Sequence, residues 1–184
     1  GSVSADSFAD LTKIVETNQV AFGDQYTWSS YNPTTRKVIY TQKADKLTIM
    51  DGSSQIIFTI NANDQVVGYE QTYAGSVQVL GKERELITAK KAVEILYLGG
   101  RINSKATVQS VKLSYYQSLV LKDFSIYSPA WYIEIRQADG QLIARRVDAI
   151  HGTVLANETL ETANTQTQRT TTNNTTTTQT VQQQ

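Results

Sequence analysis

Phe8, Leu11, Ile14 and Val15 recur at helical spacing between Ser7 and Val20, and Asp6 or Ser7 is placed to cap the first free N–H groups. The pattern predicts a short amphipathic helix. From Tyr26 onward it changes, and Asn32-Pro33 marks a turn. Arg36–Gln42, Leu47–Met50, Gln55–Ile60, Gln65–Tyr73 and Ser76–Leu80 then read as a β meander. Within it, Asp51-Gly52 is expected to close a tight hairpin between the second and third segments.

The second half carries stronger signals. Thr88 can cap a helix whose Ala92, Val93, Leu96 and Tyr97 form one apolar face, and Gly99-Gly100 ends it. Val108–Leu119 follows as a strand. Pro129 precedes Trp131–Arg136, where Trp131, Ile133 and Ile135 alternate with Tyr132, Glu134 and Arg136. Asp139-Gly140 turns the chain into Leu142–Val147, and His151-Gly152 turns it again into Thr153–Leu155. The expected fold class is α+β: an N-terminal β meander with a short helix over residues 1–80, then a helix packed on a four-stranded antiparallel sheet over 81–156. The remaining 28 residues, 157–184, hold 12 Thr, six Gln and four Asn, a low-complexity tail with too few apolar groups to offset its ordering cost. Asn157, Asn173 and Asn174 each begin an Asn-x-Thr triplet, a pattern that such a tract also produces by chance.

Composition narrows the chemistry. Zero cysteines remove thiolate nucleophiles, disulfides and Cys-based metal sites, and one histidine removes any site needing two imidazoles. Seventeen basic against seventeen acidic residues leave the chain neutral, and residues 1–156 alone are nearly so, with 16 and 15. A neutral body gives no drive toward nucleic acid. No apolar run is long enough to cross a bilayer. Gly1-Ser2 reads as the remnant of a cleaved tag, and a start at Val3 is the one expected after removal of an N-terminal anchor or signal.

Few residues invite a catalytic reading. His151 lies in a predicted turn three positions after Asp148, where a general base or pH sensor competes with an exposed turn residue, and the turn residue is favoured. Ser110, Ser114 and Ser118 fall in strand-like sequence without the sharp elbow a nucleophile needs. Glu83 and Glu85 flank Arg84 and would share a face if extended, but such a mixed-charge run is more often a solvated connector. Neither a calcium loop nor a glycine-rich phosphate loop occurs, so no cofactor or metal is expected. Aromatic residues are the better clue: Tyr115, Tyr116, Tyr127, Trp131 and Tyr132 are the candidate partner-binding residues, because about half of them should face away from their own core. Packing under the helix or between the halves is the competing role.

Four segments carry a family resemblance: Gly81 to Tyr97, Val111 to Gln117, Tyr127 to Ile135 and Val147 to Leu155. Their ordered series of helix, Tyr-rich strand, Pro-x-Trp strand and Asp-Ala-x-x-Gly hairpin resembles the YycI family, and the last lobe is similar to PepSY-type and YycH-type domains. The resemblance implies a non-enzymatic, extracytoplasmic regulatory protein of low-GC Gram-positive bacteria, held at the cell membrane by one N-terminal transmembrane helix. It implies a YycH-like protein as partner, and a WalK/YycG-type sensor histidine kinase controlling cell-wall metabolism as the regulated target. A homodimer is a further option. The family offers no catalytic residues to carry over. A PepSY-like secreted module that inhibits a protease or binds a cell-wall ligand is the rival reading, and a hydrolase using Glu83, Glu85 or Glu134 is the rival from another class.

Overall fold

Two antiparallel sheets, each covered by one helix, make up the computed structural model, which describes residues 5–78, 80 and 83–156. The α+β class expected from the sequence is the one observed. The Thr/Gln-rich tail and its three Asn-x-Thr triplets lie outside the described residues.

A 3₁₀ turn at Ala5–Phe8 leads into α1, Ala9–Glu16. That turn places Phe8 at the N-cap position without a side-chain cap, so neither Asp6 nor Ser7 takes the capping role expected of them. The first sheet holds β1 (Tyr26–Asn32), β2 (Lys37–Ala44), β3 (Leu47–Thr48), β4 (Gln55–Ile60) and β5 (Val66–Gln71). Its order is β1-β2-β4-β5, with β3 paired to β2. Alternation sends Val38 and Tyr40 of β2, and Ile56, Phe58 and Ile60 of β4, to the α1 side, where they bury Leu11 and Val15. Removing such side chains from water contributes about 1.5–3 kcal/mol each.

Three meander expectations are corrected. β1 was not expected as a strand: Tyr-Thr-Trp-Ser-Ser-Tyr-Asn has aromatic and hydroxyl groups where an aliphatic run would be recognised, and a bulge near Ser29 breaks its period. Ser76–Leu80 was expected as a strand, but its described residues form none. Just upstream, the Gln42 side chain occupies the backbone: it donates to Gly75 O at 3.1 Å and accepts from Ala74 N at 3.0 Å. Gly75, at φ +77°, then turns the chain away. Finally, Asp51-Gly52 does not join β3 to β4 as a hairpin, since both strands pair with β2. The Asp51 carboxylate instead accepts from Ser53 N and from Gln117 N, the latter in the second sheet.

The second half runs α2 (Ala89–Leu98), β6 (Thr107–Val120), β7 (Ser125–Arg136) and β8 (Leu142–Asp148), with sheet order β6-β7-β8. Thr88 caps α2, its hydroxyl accepting from Lys91 N at 3.1 Å. Ala92 and Leu96 are fully buried against Ile133, Ile135, Ile143 and Val147. Tyr97, expected on that face, is 61% exposed, because one residue beyond Leu96 is a turn of about 100° away from the sheet. The expected fourth strand reduces to a single bridge, Val147 to Val154. β7 starts six residues earlier than Trp131, with Pro129 inside it. The proline fits because its carbonyl faces Ala149 N, at 2.9 Å, just past the end of β8. Its missing N–H is on that same side, where the ladder needs no donor.

The sheets meet along the segment that follows β3. Ile49, fully buried, bridges in parallel to Tyr115 of β6, and Met50 N donates to Tyr115 O at 3.0 Å.

Candidate functional site

β8 ends opposite Ala130, so the rest of the β6–β7 hairpin continues as a two-stranded arm. The Ile49–Tyr115 seam clamps its base. Three side-chain hydrogen bonds brace it further along: Gln117 Nε2 to Ser125 Oγ at 2.9 Å, Ser118 Oγ to Ile126 O at 3.1 Å, and Ser128 Oγ to Ser118 Oγ at 2.7 Å. At the tip, Leu121 N donates to Phe124 O and closes a tight turn. Leu119, Val120, Leu121 and Phe124 are 46%, 66%, 42% and 56% exposed there. Four large apolar groups in six residues, on a braced turn, form an apolar patch of the kind that marks interaction sites. Local sequence rules do not mark this tip, since Leu119 to Leu121 looks like the end of a buried strand. The signal available was the charged pair Lys122-Asp123, which forces the turn out into water.

Each of the five candidate aromatics has an internal role. Trp131 packs against the α2 core, and its Nε1 donates to Ile87 O at 2.8 Å. Tyr115 sits at the seam. Tyr127 is half-buried with its hydroxyl 3.5 Å from Ser53 Oγ. Burial pushes its phenol up, against the opposing hydrogen bond from Ser53. Alternation does place Tyr132, flanked by Ile133 and Trp131, on the face away from α2. It is nevertheless only 5% exposed, and burial raises its phenol well above the usual range. Tyr116 lies on that face too, half-buried, its hydroxyl donating to Asp148 Oδ2 at 2.7 Å. Burial first, then that carboxylate, push the Tyr116 phenol up to about 12.

Asp148 is the most densely bonded carboxylate of the second sheet. Its Oδ1 accepts from Ile150 N at 2.8 Å and His151 N at 2.6 Å, and lies 3.2 Å from His151 Nδ1. Burial alone would raise its pKa. The His151 and Ile150 N–H groups, the Tyr116 hydroxyl and the His151 charge outweigh that and hold it below the ordinary carboxylate range. The His151 side chain is 72% exposed. The arrangement fastens a turn: Gly152, at φ +70°, brings the chain beneath Ile95 of α2, where a Cβ would lie 3.1 Å from Ile95 Cδ1.

The remaining candidates are spent or dispersed. Ser110 donates to Glu134, Ser114 to Ala130 O and Ser118 to Ile126 O. Glu83 and Glu85 are exposed in the segment before α2. Among the described residues no three His, Asp or Glu side chains gather as a metal site. Also among them, no helix is long and apolar enough to cross a membrane.

The model of the YycI protein family matches residues 3–150. The chain belongs to the YycI family. YycI membership makes it a regulatory accessory protein of the YycG/WalK two-component system. The matched stretch spans both sheets, α1, α2 and the hairpin tip, well beyond the segment from Gly81 that carried the resemblance. No curated protein matches the chain.

Proposed function

We propose that this YycI chain is the non-catalytic, extracytoplasmic part of a membrane-anchored regulator, and that it binds a YycH-like protein through the β6–β7 tip. The exposed quartet Leu119, Val120, Leu121 and Phe124 carries this reading. Its rings and branched chains add contact area, and the braced arm lowers the entropy lost on binding. The half-buried edges of Tyr115, Tyr116 and Tyr127 flank the arm and widen the contact, while Trp131 and Tyr132 support it from within. The side chains that catalysis would need are instead engaged in fastening the fold, as with Asp148, Ser110 and Glu134.

Regulation then follows from linkage. A partner shifts the sensor kinase between conformations only by its differential affinity for them. Moving such an equilibrium from 1:99 to 99:1 takes about 5.5 kcal/mol, within the reach of an ordinary protein interface. The membrane anchor keeps the components at high effective concentration. Calorimetric titration of the chain with a YycH-like ectodomain tests the contact. The double variant Val120→Asp, Phe124→Ser should bind at least about tenfold more weakly, with an unchanged melting temperature, because both side chains are largely exposed. Equal affinity of variant and wild type would contradict the assignment of the tip.

A further inference from the structure

We propose that β5 is the seam of a symmetric dimer of this chain. β5 is the outer strand of the first sheet, and Val66, Val67 and Tyr69 are 46%, 62% and 52% exposed. Thr72 N turns inward to Gln55 O at 2.9 Å. By alternation Tyr69 and Gln71 turn their N–H and C=O groups outward, where no described strand meets them. The strand has no lysine and no proline to guard that edge, and Glu70 is its single charge. Its one bulge lies near Val67 and leaves Tyr69 to Gln71 regular.

The occupant that fits is a second copy. Antiparallel self-pairing about a two-fold axis allows few registers, and the one centred on Glu70 would set two carboxylates directly opposite each other. Centring on Tyr69 avoids this, placing Glu70 against Gly68 of the other copy. The same register carries each copy's Val66–Val67 end to the far end of the other's β5. An apolar surface is waiting there. Phe22 and Tyr73 stack with ring centroids 4.4 Å apart and planes within 2°. They are 52% and 36% exposed. Phe22 holds this position in a left-handed conformation, φ 55°, that a bulky residue rarely adopts. Gln71 Nε2 fixes the neighbouring Ala21 O at 2.6 Å. Valines of one copy therefore meet the ring pair of the other, twice by symmetry. A strand seam of this length lies toward the small end of stable interfaces, so the dimer should form at micromolar concentrations and above.

Sedimentation equilibrium of the full chain across micromolar to millimolar loading reads the association directly. The mass should rise with concentration from 20.4 kDa toward twice that value. Tyr69→Lys sets two cations on the axis, and Val67→Lys replaces a side chain that is 62% exposed. Each should weaken association at least about tenfold, and Val67→Lys guards against any folding effect of removing Tyr69 from Phe58. Since the chain has no cysteine, Tyr69→Cys supplies a single thiol that a short bis-maleimide should link into dimers. Tyr97→Cys, on the solvent-facing side of α2, should stay monomeric. A chain that remains monomeric throughout overturns the proposal, as does a dimer indifferent to both lysines or one in which Cys at position 69 fails to link.

Discussion

Asp148→Ala should lower unfolding free energy by about 3 kcal/mol at neutral pH, because three donors lose their common acceptor. These are Ile150 N, His151 N and the Tyr116 hydroxyl. Asp148 is only 5% exposed, so water replaces the carboxylate poorly. Asp148→Asn keeps one oxygen for the two backbone donors and should cost less. The pH dependence has a definite sign. The folded-state pKa lies below its unfolded value, so the carboxylate's contribution is complete above about pH 4 and is lost as pH falls through the folded value. Urea denaturation at pH 7 and at pH 3 should therefore show the gap between wild type and Asp148→Ala narrowing in acid. A gap that widens in acid would reverse the assignment.

Gly23→Ala should be comparably damaging for a different reason. A Cβ on Gly23 would lie 2.1 Å from the carbonyl oxygen of Val15 and 3.0 Å from its carbonyl carbon. Both are backbone atoms at the end of α1, so no rotamer change relieves the clash. Val15 is fully buried in the first core, and moving α1 outward opens that core. Overpacking of this kind costs about 3 kcal/mol, which for a chain of this size lowers the melting temperature by about 6–12 °C. Gly68→Ala is the natural control, since nothing lies within 4 Å of a Cβ there. A thermal melt of Gly23→Ala matching wild type would show that α1 does not sit as described.

Much of the second sheet was legible in the sequence because its elements satisfy local rules. Thr88, the Ala92–Leu96 stripe, Asp139-Gly140 and His151-Gly152 each specify their own conformation through capping, periodicity or turn chemistry. The first sheet was read less well where tertiary contacts overrule local ones. Asp51-Gly52 has the positive φ a hairpin wants, at +79° on Gly52, yet Asp51 is committed to Gln117, 66 residues away. The chain turns away just before Ser76–Leu80, where the side chain of Gln42 takes Ala74 N and Gly75 O, a partner no local window contains. The same limit explains the candidate site. Aromatic content singled out Tyr115 to Tyr132 as contact residues, but most of their area goes to the α2 core, the seam and the Asp148 turn. The tip at Leu119 to Phe124 is set by where β8 stops, which leaves that hairpin to extend alone.

On the proposed reading, this chain acts by gripping other proteins and thereby shifts a kinase equilibrium. The most direct measurement is the autophosphorylation rate of a WalK/YycG-type kinase in vesicles that also hold a YycH-like protein and the full-length form of this chain, wild type or Val120→Asp, Phe124→Ser. The account predicts that adding the wild type changes the rate and that the double variant leaves it at the value without this chain. A rate that the wild type fails to move, or that the variant moves equally, would contradict it.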